Sequence, residues 1–444
     1  MPIPVNHPQR FQLTNEVHAR PYANIYVPAR ASHLAILLTP EQKEDDRAAL
    51  NALCERYLIP PPAADTDHFN GEFGAFQLRW EQHSEFATYT FYTEGNCSDP
   101  FAETALRSVP DAWLKSLPGQ LIVAIHAGMM CCKYKGKAET RQPVNLDVIS
   151  PMFEGNTLIG SGVAGGDASA FTDFRIHADG FSRFLVIDHN FHSSRQAGRL
   201  LHRLFEIEVY RMMALLAFPV ARKMLPELNI RDKRLVDITT LMSKGDEKDP
   251  TRCSAALLDE LTELATEVEN SLSSSHFRLG AAQAYIELVN KRIEDLREVR
   301  TPGLQTFREF MDRRLAPAMN TCRSVNLRQK SLSKRIAQAG QLLRTRVDVE
   351  LGRQNQSLLE SMDKRAQLQL RLQETVEGLS VAAITYYSVS LVGYLAKAGK
   401  EAGLPIKPDL VMGIAIPVIA GVLIFGVRLI RKKVKGAHAK IDEG

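Results

Sequence analysis

The chain has 444 residues, of which 45% are hydrophobic, and a formal net charge of +4. That length and apolar content argue against a disordered chain and predict roughly two or three domains with a real core. The small net charge gives no support for a nucleic-acid partner, and the basic excess is local, near the C-terminus, where anionic lipid headgroups are the natural counterpart. The six cysteines include no C-x-x-C pair, so they fit a reducing compartment and leave zinc and thioredoxin-like readings without support. The opening MPIPVNHPQRFQL has no apolar core, and no signal peptide is expected.

Residues 1–30 carry Pro2, Pro4, Pro8, Pro21 and Pro28 and read as an extended arm. His33 to Thr39 reads as a strand. A helix follows over Pro40 to Leu58, with acidic residues in its first turns, and Pro60-Pro61-Pro62 ends it. Phe73, Phe76, Leu78 and Trp80, then Phe86, Tyr89, Phe91 and Tyr92, predict a hairpin about Gln82-His83-Ser84. A short helix is expected at 101–117, a strand from Leu121 to His126, and three β-segments around 157–163, 170–177 and 182–188. The region 31–190 is therefore an α/β or α+β domain with a largely antiparallel sheet.

From about Ser194 the pattern turns helical. Ser194 to Lys223 reads as one helix kinked at Pro219, and Lys244 to Pro250 as a charged linker. Leu257 to Ser271 and Phe277 to Arg300 read as paired helices joined by a serine-rich turn at 273–275. After Thr301-Pro302-Gly303, a long helix within 301–377 is expected, continuous from about Ala318 to Ala396 and ~120 Å long at 1.5 Å per residue. Val347, Leu351, Leu358, Met362, Leu372 and Val376 form an apolar seam along it, interrupted by Asn355 and Gln369. This reads as a self-associating stalk.

The helix then loses its charges. Gly378 to Ala396 is an uncharged run of ~19 residues and Leu410 to Val427 one of ~18, each enough to cross a bilayer. Two buried globular helices would rarely go so long without a charge. Arg428, Arg431, Lys432, Lys433 and Lys435 follow the second run as a basic tail suited to lipid headgroups, and Lys364, Arg365 and Arg371 precede the first. The connecting loop holds fewer cations. The expectation is a two-span protein of the inner membrane with both termini cytoplasmic.

Gly160-Ser161-Gly162-Val163-Ala164-Gly165 matches G-x-G-x-x-G in letters, but the residues after it read as strand and turn rather than helix. A glycine-rich β-turn is the better reading. Asp188-His189-Asn190-Phe191-His192 offers two histidines with no H-E-x-x-H signature, and reads as a solvated strand end. The most informative polar set joins Glu16, His18 and Arg20 of the arm with Arg79, Glu81, His83 and Glu85 of the hairpin. Both groups repeat every second residue, so each lies on one side of an extended chain. If the arm crosses the hairpin, they form a salt-bridged tether, a site for a small ligand or ion, or an acid/base pair. In the first span, Ser380, Tyr387, Ser390 and Tyr394 share one face, which lines a pore or packs on a neighbour. In the second, Gly413, Pro417 and Gly421 form a small-residue face.

The stretches NEVHARPY (15–22), RWEQHSEF (79–86), RRLAPAMNTC (313–322), LLRTRVDVE (342–350) and QLRLQETVEGLSVAAITYY (369–387) resemble a bacterial family of uncharacterised membrane-anchored proteins, a domain of unknown function. That resemblance implies an anchor and no established activity. More distantly, the order of a cytoplasmic α/β domain, a stalk helix and two spans is similar to CorA-type magnesium transporters, without their Gly-Met-Asn motif: the loop here reads Ala396-Lys397-Ala398-Gly399-Lys400. The expectation is a non-enzymatic, membrane-anchored cytoplasmic interaction or sensor protein, homo-oligomeric through its stalk, with no cofactor and no metal. The alternatives are a CorA-type channel whose first span lines the pore, and an enzyme built on His18 and His83.

Overall fold

The computed structural model describes residues 4–11, 13–14, 22–95, 99–131, 144–244, 250–401 and 407–438. They divide into two compact units. The first holds residues up to Lys244 together with Leu257–Gly340, and the second Gly245–Ala256 with Gln341–Gly444.

The first unit is built on a mixed sheet. Its strands are β1 (Ala29–Leu37), β2 (His68–Glu72), β3 (Gln77–Gln82), β4 (Phe86–Glu94), β5 (Gln120–Cys131), β6 (Ile159–Val163), β7 (Ala168–Thr172), β8 (Ser182–Asp188) and β9 (Val299–Arg300). The order across the sheet is β2-β3-β4-β1-β5-β8-β7-β6-β9. All pairs are antiparallel except β5–β8, so the largely antiparallel sheet expected from the alternating strands is present. β9 returns to the sheet edge only after the helices, pairing with β6 through Ser161 and Gly162.

Strand alternation assigns two different environments to β3 and β4. On one face Leu78, Trp80, Tyr89 and Phe91 join Leu34, Ile36, Leu50, Leu53 and Trp113 in an apolar core under α1 (Gln42–Arg56) and α2 (Asp111–Ser116). Buried Asp46 of α1 fixes this face. Its carboxylate accepts from Tyr89 OH at 2.6 Å, Trp80 Nε1 at 3.0 Å and Gln82 Nε2 at 3.2 Å. Burial raises the Asp46 pKa against those hydrogen bonds. With Trp80 and Gln82 held there, the intervening Arg79 and Glu81 must project from the opposite face.

That face is covered by helices. After the four-residue helix α3 (Leu146–Ile149), they are α4 (Ser194–Leu215), α5 (Ala217–Lys244) and α6 (Pro250–Leu296). The expected kink at Pro219 is instead a break between α4 and α5 at Leu216, because proline lacks an N–H and its ring crowds the carbonyl four residues back, at Leu215. The expected serine-rich turn at 273–275 is also corrected, since α6 is one helix of 47 residues. The hydroxyls of Ser274 and Ser275 bond back to the Ser271 carbonyl at 3.0 and 2.8 Å, so they satisfy helix rather than turn. The helix expected at 101–117 is divided at Pro110 into a 3₁₀ turn and α2.

After α7 (Phe307–Arg314), α8 (Ala316–Glu401) begins in the first unit. Met319, Cys322, Val325, Gln329, Leu332, Ile336 and Ala339 are buried at spacings of three and four. Arg328 and Arg335 bind Asp232 of α5 at 2.8 and 3.0 Å, and Gln329 Nε2 donates to Ser271 Oγ of α6 at 3.1 Å.

In the second unit, α8 runs on without a break at Gly352, and α9 spans Pro408–His438. Both helices are long and apolar enough to cross a membrane. They meet closely: a Cβ on Gly393 would lie 2.5 Å from Met412 Sδ. The faces that meet are not those marked by the sequence pattern. Gly413, Pro417 and Gly421 are exposed, as are Tyr387 and Tyr394. Leu351, Leu358, Met362, Leu372 and Val376 of the seam are exposed as well.

Candidate functional site

The residues released by strand alternation on the helix-facing side of β1, β3 and β4 meet α4 and α6 around a cavity of about 350 Å³. Arg79 and Glu81 supply its floor, paired at 2.9 Å and both buried. His33 of β1 stacks on Phe205 of α4, with ring centroids 4.8 Å apart, and its Nδ1 meets Thr90 Oγ1 at 2.8 Å. His202, Glu206 and Tyr210 follow at four-residue intervals on the face of α4 that lines the cavity. Arg292 of α6 closes the wall. It binds Glu206 through Nε at 2.6 Å and Nη2 at 2.9 Å, while Tyr210 OH donates to the same carboxylate at 3.1 Å. Tyr22 lies edge-on to His202 at 5.6 Å.

The two arginine–glutamate pairs neutralise one another, which leaves the imidazoles to set the character of the cavity. His33 is 4% exposed, and burial, reinforced by the cationic form of His202, lowers its pKa to about 3. It is neutral at physiological pH. His202 is lowered as well, by burial, against the pull of Glu206 and Glu81. Burial pushes the Glu81 carboxyl up, but the cationic form of His202 and the Arg79 guanidinium outweigh it and bring it down to about 2. Burial also raises Tyr210, helped by Glu206. His33 Nε2 is buried with no hydrogen-bond partner.

Of the sequence-predicted set, Arg79, Glu81 and His83 line this cavity. His83 stacks on Phe86 at 4.4 Å. Glu85 is drawn elsewhere: it accepts from Arg278 at 2.5 Å and Tyr285 OH at 2.9 Å, tying the hairpin to α6. Glu16, His18 and Arg20 lie outside the described residues. His33, His202, Glu206, Tyr210 and Arg292 were not singled out from the sequence. The signal was there in part, as ionisable residues at i, i+4 and i+8 of one helix.

The other motifs have structural roles. Gly160 and Gly162 allow close strand contact, since a Cβ would meet Phe171 at the first and Val299 at the second. Gly165 has φ 74° in the 3₁₀ turn between β6 and β7. His189 Nε2 meets Ser169 Oγ at 2.8 Å. No group of three or more side chains able to hold a metal occurs among the described residues. The hydroxyls of Ser380 and Ser390 donate to carbonyls of their own helix. Arg428 is exposed, and the side chains of Arg431, Lys432, Lys433 and Lys435 lie outside the described residues.

A family model described as "protein of unknown function (DUF3422)" matches residues 5–434. The chain belongs to this family. The DUF3422 match covers the sheet, the helices and the two apolar helices together, so the cavity and the C-terminal hairpin both lie within it. No curated protein and no solved structure is similar enough to match. No match supports the expected likeness to CorA-type transporters.

Proposed function

We propose that this is a membrane-anchored interaction or sensor protein whose first unit binds a small polar molecule in the His33 cavity. One observation carries the reading: His33 Nε2 is buried without a hydrogen-bond partner in a charge-lined cavity. A buried polar atom left unpaired costs about 1–3 kcal/mol, which a bound ligand recovers. The groups around it suit recognition by hydrogen bonds, and binding rather than catalysis is the role we assign.

The two apolar helices supply the anchor, with the first unit and both termini on the cytoplasmic side by the distribution of basic residues. Self-association through α8 beyond Gly340 accounts for the exposed seam. The polar stripe of the first span supports it, since Tyr387 and Tyr394 are 72% and 71% exposed. Polar side chains inside a bilayer face protein or water rather than lipid.

The test uses detergent-purified full-length protein and thermal unfolding with a panel of divalent cations, dicarboxylates, amino acids and phosphate esters. A compound that uses the cavity raises Tm in the native protein and not in His33→Phe or Tyr210→Phe. If no compound distinguishes the variants from the native protein, the ligand-binding reading fails.

A further inference from the structure

The His33 cavity shares Tyr22 and Arg79 with a second, outer cleft of about 650 Å³. The outer cleft is lined by Arg195 and Arg199, one turn apart on α4, with Asn70, Gln77 and Tyr92 opposite. Glu72 is the carboxylate among its lining residues. Arg79 is already engaged by Glu81. Arg195 and Arg199 are exposed and make no ion pair or hydrogen bond among the described residues.

The position of Arg195 is unfavourable for folding alone. Arg195 lies in the first turn of α4, whose N-cap is Ser193 and whose first turn holds no acidic residue. The N-terminal end of a helix carries partial positive charge, so cations there destabilise the helix and anions stabilise it. Two guanidiniums without a partner among the described residues, in a cleft that joins through Tyr22 and Arg79 to the cavity holding the unpaired His33 Nε2, have their electrostatics completed by a dianion.

The geometry points to a phosphate monoester as the ligand: its phosphate on Arg195 and Arg199 in the outer cleft, and its neutral hydrogen-bonding part reaching His33 Nε2 in the inner cavity. Arginine forks match phosphate oxygens in pairs, and two guanidiniums balance the double charge of a phosphate monoester. This assignment rests on the ligand-binding reading above and names the class of ligand.

The experiment is calorimetric titration of the full-length protein in detergent and phosphate-free buffer with glycerol 3-phosphate, inorganic phosphate and citrate. Glycerol 3-phosphate is expected to bind saturably. Arg195→Gln and Arg199→Gln each weaken it about tenfold, while Lys115→Gln, the same charge change on α2, leaves it unchanged. The unliganded Arg195→Gln protein has a slightly higher Tm, a sign that a purely structural arginine would not give. Binding of citrate without either phosphate, or unchanged binding in the double variant, overturns the assignment. Nanodiscs with and without phosphatidate test the lipid source, and binding that requires phosphatidate and resists competition by glycerol 3-phosphate overturns a soluble ligand. If another compound of the panel still stabilises the native protein but not His33→Phe, only the phosphate assignment is lost. Loss of every His33-dependent effect removes the cavity reading too.

Discussion

The carbonyl of Ala23 occupies the space that a side chain on Gly198 would need. With Ile25 N–H donating to the Ser194 carbonyl at 3.1 Å, this contact lays residues 22–26 across the first turns of α4 and sets Tyr22 beside His202. Gly198→Val is therefore expected to lift that segment. Overpacking costs about 1–3 kcal/mol, and a β-branched residue gains less helix propensity over glycine than alanine would. Limited proteolysis should show faster cleavage near Tyr22–Tyr26 with the helix content unchanged by circular dichroism. Undiminished protection would mean that the segment is held by other contacts.

Acid should destabilise the first unit before its carboxylates titrate. The folded pKa of His33 lies at about 3, against 6.5 for a free imidazole. Between those values the unfolded chain binds the proton and the folded chain does not. Stability is thus complete above pH ~6.5 and falls toward pH ~3, by about 1.4 kcal/mol per pH unit for this group. His126, lowered to about 4 by burial, adds to the slope. Glu81 has the same sign in a lower window, since its carboxyl is depressed from 4.5 to about 2 and its contribution is lost as pH falls between them. Urea midpoints at several pH values for the native protein and His33→Gln should differ in slope by about one proton between pH ~6 and ~4. Parallel curves would show that His33 is solvated.

The Glu206–Arg292 pair joins α4 to α6 across the cavity wall, with side chains 13% and 27% exposed. Removing one partner leaves the other partly buried and unmatched. For this intermediate burial, Glu206→Gln is expected to cost roughly 1–3 kcal/mol, between the exposed and fully buried limits. A double-mutant cycle with Arg292→Gln should return a coupling above about 1 kcal/mol. Additive effects would reduce the pair to a surface contact.

Self-association has a positional test. Single cysteines at Leu358 or Met362, in a background without the six native cysteines, should crosslink between copies in native membranes, and those at Lys364 or Arg371 only weakly. Asn355→Leu should tighten the association, and Leu358→Glu should disrupt it, because an unpaired charge in an apolar seam costs several kcal/mol. Equal crosslinking at all four positions would contradict a seam.

What the sequence by itself determined follows from local physics. An uncharged run near twenty residues has few alternatives to a membrane-length helix, and alternation of Leu78 and Trp80 with Arg79 and Glu81 assigns opposite faces whatever covers them. Backbone choices at Ser271–Ser275 and Pro219 were less legible, because the same residues suit a turn or kink and a helix or its boundary. Only burial against Gln329 and the packing of α4 and α5 decided between them. Arg79, Glu81 and His83 were marked by their alternation, but the rest of the cavity was decided by tertiary structure. His33, His202 and Arg292 are far apart in the chain, and nothing local to one points to the others. Their meeting depends on which face of α4 the sheet accepts, and on the missing side chain at Gly198 that lets the 22–26 segment close over it.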